Sequence, residues 1–95
     1  MVYYIYVFYD KHDDVIYVGK TIDLNQRFYQ HSKKLWWKEV KKIYTSKTSR
    51  LFWDIYEQYY INKFNAKYNV KDINQKYKKF SYPELKFKLY KTIDK

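Results

Sequence analysis

Two short stretches hold the residues best equipped for chemistry. In "VIYVGKTIDLNQRFYQH", residues 15–31, an apolar run closes on Tyr17-Val18-Gly19 and leads into helical spacing that carries Arg27 and His31. Four residues apart on a helix, those two side chains project to one side. Packing alone does not call for a guanidinium beside an imidazole. The combination suits a site where an anionic ester is held and a proton is moved. In "WDIYEQYYINKF", Glu57 has Trp53 and Ile61 four residues away on either side and Tyr60 three residues on. A carboxylate set among rings needs a partner, because an unpaired buried charge is costly. A metal ion, Arg27 or a lysine would serve. Tyr6 and Tyr17, on opposed strands of one expected hairpin, lie near where the first helix begins.

The elements that must position these groups are legible in part. Tyr3 to Tyr9 and Val15 to Val18 are rich in aromatic and β-branched residues, and the polar DKHDD between them reads as a hairpin loop. Gly19, the only glycine, is expected to end the second strand and to permit a close approach of backbone or phosphate. Asp23 with Gln26 three residues on forms a capping-box arrangement, which predicts a helix from Asp23 to about Lys34. Leu24, Phe28 and Leu35 form its apolar stripe. KLWWK reads as a loop anchored by Trp36 and Trp37, and Glu39 to Thr45 as a third strand. Thr48 or Ser49 caps a long helix from Arg50 to about Phe64, with Leu51, Phe52, Ile55, Tyr56, Tyr59 and Phe64 as its buried face. "NAKYN", residues 65–69, should leave that helix. The alternation in "PELKFKLYK", at Leu85, Phe87 and Leu89, suits a short edge strand or arm.

The bulk composition narrows the class. Twenty Lys and Arg against ten Asp and Glu leave a net charge of +10 in 95 residues. A field of that sign attracts polyanions, and nucleic acid is the expected one. The absence of cysteine excludes a disulfide framework and a thiolate metal site. The longest apolar run, VYYIYVFY, is too short to span a bilayer and lacks the features of a signal peptide, so a cytoplasmic location and no membrane partner are expected. Fourteen Tyr, six Phe and three Trp supply a core whose rims can still present hydroxyls.

These residues, in this order, resemble the GIY-YIG nucleases. Tyr4-Ile5-Tyr6 and Tyr17-Val18-Gly19 match the two signature elements. Arg27, eight residues after Gly19, falls where the family carries its catalytic arginine, and His31 follows as in members with a histidine on this helix. Glu57 matches the metal-binding glutamate, and Asn69, twelve residues on, the asparagine that closes the motif. The likeness covers roughly Tyr3 to Asn69. Tyr4 replaces the first glycine of the family name, Ala66 stands where many relatives have proline, and Ile16 where some restriction-type relatives have lysine.

The resemblance implies single-metal hydrolysis of a phosphodiester in DNA. Glu57 would hold Mg2+ or Mn2+, which take one or two carboxylates and keep several waters. Arg27 would grip a non-bridging oxygen as charge builds. Tyr6 is the favoured base, with His31 or Lys20 accepting or offsetting its proton, while Tyr17 orients water or substrate. Asn69 would fix the loop on the metal side. Singly, each residue has a plainer reading as an ion-pair member, hairpin aromatic or turn former; it is the ordered set that carries the inference. The alternative is a non-catalytic nucleic-acid-binding module that keeps the fold and its basic surface. The expected fold is α/β (α+β), a small three-stranded, mainly antiparallel sheet flanked by helices. Residues 1–69 form the catalytic module, and residues 70–95 a basic extension packed on the same domain. Target choice is expected to be weak or to come from DNA structure, a protein partner or a homodimer.

Overall fold

The computed structural model describes residues 1–69 and 83–93. Its centre is the hairpin of β1 (Tyr3–Tyr9) and β2 (Val15–Thr21), paired antiparallel with Tyr6 opposite Gly19 and Phe8 opposite Tyr17. Asp10 folds the connecting loop by accepting the backbone N–H of His12 and Asp14 on its side chain, and Asp13 takes the positive φ of 60° that a short polar residue tolerates. β3 (Lys42–Thr48) pairs antiparallel with the other side of β1, and β4 (Lys88–Thr92) pairs antiparallel with β3. The sheet order is therefore β2-β1-β3-β4. The expected α+β class holds, with a fourth strand supplied by the sequence that alternates at Leu85, Phe87 and Leu89. That alternation does not continue inward. β4 itself is exposed along its whole length, while Leu85 and Phe87 just before it pack on the core.

Alternation along β1 separates two cores. Ile5 and Val7, with Val18 of β2, meet Tyr56, Tyr60 and Ile61 of α2 (Trp53–Phe64). Tyr6 and Phe8 point to the opposite face, where they join Ile16, Val40 and Ile43 and are covered by Phe28, Trp36 and Trp37. Phe28 belongs to α1 (Leu24–His31), and the tryptophans to a 3-10 turn over Leu35–Glu39. Both faces of the sheet are thus covered at its central strand β1, which explains the need for so many rings in so short a chain.

Several boundaries differ from expectation. Asp23 does cap α1, accepting the N–H of Gln26 at 3.0 Å, but the helix ends at His31. The turn that follows rotates Leu35 off the apolar stripe and leaves it 93% exposed. Ser49 caps the second helical stretch, yet its first turn, Arg50–Phe52, is 3-10, so Leu51 faces solvent rather than the core. Tyr60, in turn, is buried. Asn65 closes α2 in the left-handed conformation with φ 48°. The segment at 83–85 is tied to α2: the Tyr56 hydroxyl donates to the Pro83 carbonyl at 2.7 Å, and the Leu85 N–H donates to the Tyr60 hydroxyl at 2.8 Å. The sequence at 70–82, which contains much of the lysine-rich stretch, lies outside the described residues.

Candidate active site

Gly19 does not end its strand. It lies inside β2, directly across from Tyr6, and its φ is not positive. What requires glycine there is space: a Cβ at this position would fall on Cζ and the hydroxyl of Tyr6, well inside van der Waals contact. The close approach expected of backbone or phosphate is made instead by a phenol ring. That ring is 1% exposed, and its hydroxyl lies 2.7 Å from Nε2 of His31 at the last turn of α1.

Burial keeps both members of this pair neutral. Tyr6 is pushed far above the ordinary tyrosine range, first by desolvation and then by the neighbouring Tyr17, with Arg27 opposing. His31 is pushed down to about 4, again by desolvation first, with the charges of Arg27 and Lys34 adding. Tyr6 therefore keeps its proton and His31 is neutral, and the tautomer of the imidazole decides which of the two donates across the contact. Tyr17 lies alongside, its ring 6.1 Å from that of Tyr6 and 4.8 Å from that of His31.

Tyr17 and His31 open onto a cleft of about 790 Å³, also lined by Arg27 and Asn69 among the expected residues, while Tyr6 lies behind them and neither it nor Glu57 forms part of the lining. Trp36, Tyr68 and Gln58 also line it, beside Gln30, Lys34 and Ile61, and the sequence reading assigned none of these a part in the site. Trp36 stacks against both Tyr17, at 5.3 Å, and Tyr68, at 5.2 Å. Asn69 grips the outer edge of β2, its Oδ1 accepting the Val18 N–H at 2.7 Å and its Nδ2 donating to the Val18 carbonyl at 2.9 Å. Beside it, the Tyr68 N–H donates to the carbonyl of Ile16 at 2.8 Å. The asparagine thus satisfies an edge strand that would otherwise stand open.

Glu57 lies on α2, half-buried. Its charge raises both Tyr6 and Tyr17, which places it in the same electrostatic neighbourhood. Its own carboxyl is held above the usual range by burial, with Lys20 and then Arg27 pulling the other way. No described residue gives it a hydrogen bond or a close ion pair. Lys20 is placed differently from the reading that set it near the Tyr6 hydroxyl. It pairs with Asp54 and lies 4.7 Å from the centre of the Trp53 ring, on the α2 face with Ile5, its partner in register. One residue along a strand reverses the face, and Lys20 is one residue past the glycine under Tyr6. Of the two candidates for the tyrosine's proton partner, His31 is the one in contact.

The model of the GIY-YIG catalytic domain matches residues 2–69, well over half of the chain. The chain belongs to the GIY-YIG family. No significant match was found among curated proteins or among solved structures. In this GIY-YIG domain the matched span runs from the start of β1 to Asn69, taking in every described element except β4 and all the residues that line the cleft. Membership places the chain in the nuclease superfamily.

Proposed function

We propose that the protein is a metal-dependent endonuclease that hydrolyses phosphodiester bonds in DNA. The observation that carries this reading is the Tyr6 hydroxyl bonded to a neutral His31 at the wall of a cleft that Arg27 also lines. That arrangement suits removal of a proton from water beside an anionic ester. Glu57 fits a divalent ion: it is a hard oxygen donor, half-buried, with no close cationic partner among the described residues. Among those residues no group of three or more potential ligands gathers, so the ion would rest on one carboxylate, waters and the substrate phosphate. When bound on Glu57, Mg2+ or Mn2+ supplies positive charge that polarises the phosphate and eases departure of the leaving oxygen.

The chain's own residues do the rest. The guanidinium of Arg27, exposed on α1, holds a non-bridging oxygen and meets the charge that builds there. Tyr6 is too strongly held in its protonated form to act as a free phenolate. It instead accepts the proton of the attacking water as its own passes to Nε2 of His31. The negative charge of a bound phosphate favours that transfer by raising the proton affinity of the imidazole. Tyr17 orients water or substrate, and Asn69 holds the strand that carries Tyr17. Target choice is weak or comes from DNA structure, a protein partner or self-association.

Incubation of the purified chain with plasmid and single-stranded DNA, with Mg2+, Mn2+ or chelator, tests this. Cleavage should require the ion and vanish in Glu57→Ala. Equal cleavage by that variant would refute the metal assignment, and no cleavage by the native chain with either ion would leave the binding-module reading in its place.

A further inference from the structure

Two solvent-shielded polar atoms in the cleft have no hydrogen-bond partner among the described residues: Nδ1 of His31 and Oε1 of Gln58. Both residues line the same space. In the proposed relay Tyr6 donates to Nε2, which puts hydrogen on Nδ1, so the pair then consists of one unused donor and one unused acceptor. Leaving such groups unsatisfied is costly in the free protein, and the cost is relieved when a ligand supplies the complements. The third feature is an aromatic wall, Tyr17, Trp36 and Tyr68 in stacked contact. A volume of about 790 Å³ lies in the usual range for sites that enclose a small planar ligand.

We propose that this cleft receives one unpaired nucleobase of the substrate strand, next to the scissile phosphate, with Gln58 accepting a hydrogen bond from the base edge and His31 donating to it. The inference rests on the nuclease reading for its substrate class. Within a DNA strand, phosphates and esterified sugars only accept hydrogen bonds, so the strand can offer Gln58 a donor only from a base. A paired base presents its Watson–Crick edge to its partner and cannot enter a shielded cleft. A base that is single-stranded, bulged or extruded can, with the rings as its apolar wall and Arg27 and Lys34 beside the adjoining phosphates. The site therefore selects DNA with an unpaired nucleotide, without reading an extended sequence.

Binding is measured on the full chain in chelator, so that cleavage does not intervene. The probes are short DNAs carrying 2-aminopurine in a duplex, in a one-nucleotide bulge and in a single strand. The unpaired probes should bind about 10-fold or more tightly than the duplex, with their fluorescence quenched by the aromatic wall. An abasic nucleotide in the bulge, or Gln58→Met in a protein that still melts cooperatively, should remove that preference. Equal binding of paired and unpaired probes by the native chain overturns the inference, whether or not the variant folds. So does a preference that survives loss of the base. A Gln58 dependence restored to the abasic probe by a 2′-hydroxyl would assign the contact to the sugar and likewise defeat it. Ion-dependent cleavage with no unpaired-base preference sinks this inference alone, whereas base-selective binding without cleavage sinks only the hydrolytic reading.

Discussion

In the proposed mechanism Tyr6 and His31 act as a unit, and substitutions should expose that. Tyr6→Phe keeps the ring over Gly19 and deletes only the hydroxyl, so the fold should survive while cleavage falls by about 10² to 10⁴, the usual worth of positioned proton transfer. Purified variant with native-like melting and undiminished turnover would end the relay. Arg27 is a separate case. Exposed on α1, it carries little of the packing, so Arg27→Ala should still bind DNA yet lose turnover by about 10² or more. The pH dependence follows from the depressed imidazole. The relay needs neutral His31, which in the free protein gains its proton only near pH 4 rather than near the ordinary 6.5. The acid limb of kcat/KM, which reports the free enzyme, should therefore stay level through neutral pH and drop as pH falls toward about 4. A limb centred near 6.5 would show that His31 is not the group titrating.

At the scale of elements, the site depends on how β2 is held from both sides. Asn69→Ala removes two hydrogen bonds to Val18 and reopens the edge of the strand that presents Tyr17. A loss of about 1–3 kcal/mol in chemical denaturation is expected, with turnover falling more than DNA binding. Gly19→Ala presses a methyl into the Tyr6 phenol, which is buried and has nowhere to retreat, so both stability and cleavage should suffer. The same elements show what the sequence could and could not disclose. The hairpin, the Asp23 cap and α2 follow from local spacing and local hydrogen bonds, and so were readable. Leu35 and Leu51 were misplaced because a 3-10 turn changes the angular step, which no apolar count reveals. Tyr6, Tyr17, Arg27, His31 and Glu57 could be named because their order and intervals match a family pattern. The contact between Tyr6 and His31, the turning away of Lys20, and the presence of Trp36 and Gln58 in the cleft arise from strand register and from packing between distant segments. Gln58 carries no signal in the sequence beyond its place after Glu57.

For the whole molecule, charge and burial act in the same direction on pH. His31 is depressed in the folded state relative to the unfolded chain, so between pH 6.5 and about 4 the unfolded chain binds the extra proton. Stability is full above that window and is lost as pH falls through it, by about 1.4 kcal/mol for each pH unit crossed, which a set of denaturation curves would read directly. Acid also raises the net charge of a chain that already carries +10, adding self-repulsion to the same trend. At neutral pH that charge would serve the proposed association with DNA. Contacts to phosphate release counterions, so the logarithm of DNA affinity should fall linearly with the logarithm of salt, by about 0.9 for each phosphate neutralised on a duplex. Lys34 is exposed at the cleft, one residue before the turn that carries Trp36. If it neutralises one phosphate there, Lys34→Ala should weaken binding to all DNA sequences alike and reduce that slope by about one. The preference for an unpaired base should persist in this variant, because that choice is made by shielded groups on which salt has little purchase. Anisotropy titrations between about 50 and 200 mM salt separate the two contributions. An unchanged slope in Lys34→Ala would move the phosphate path away from this side of the cleft.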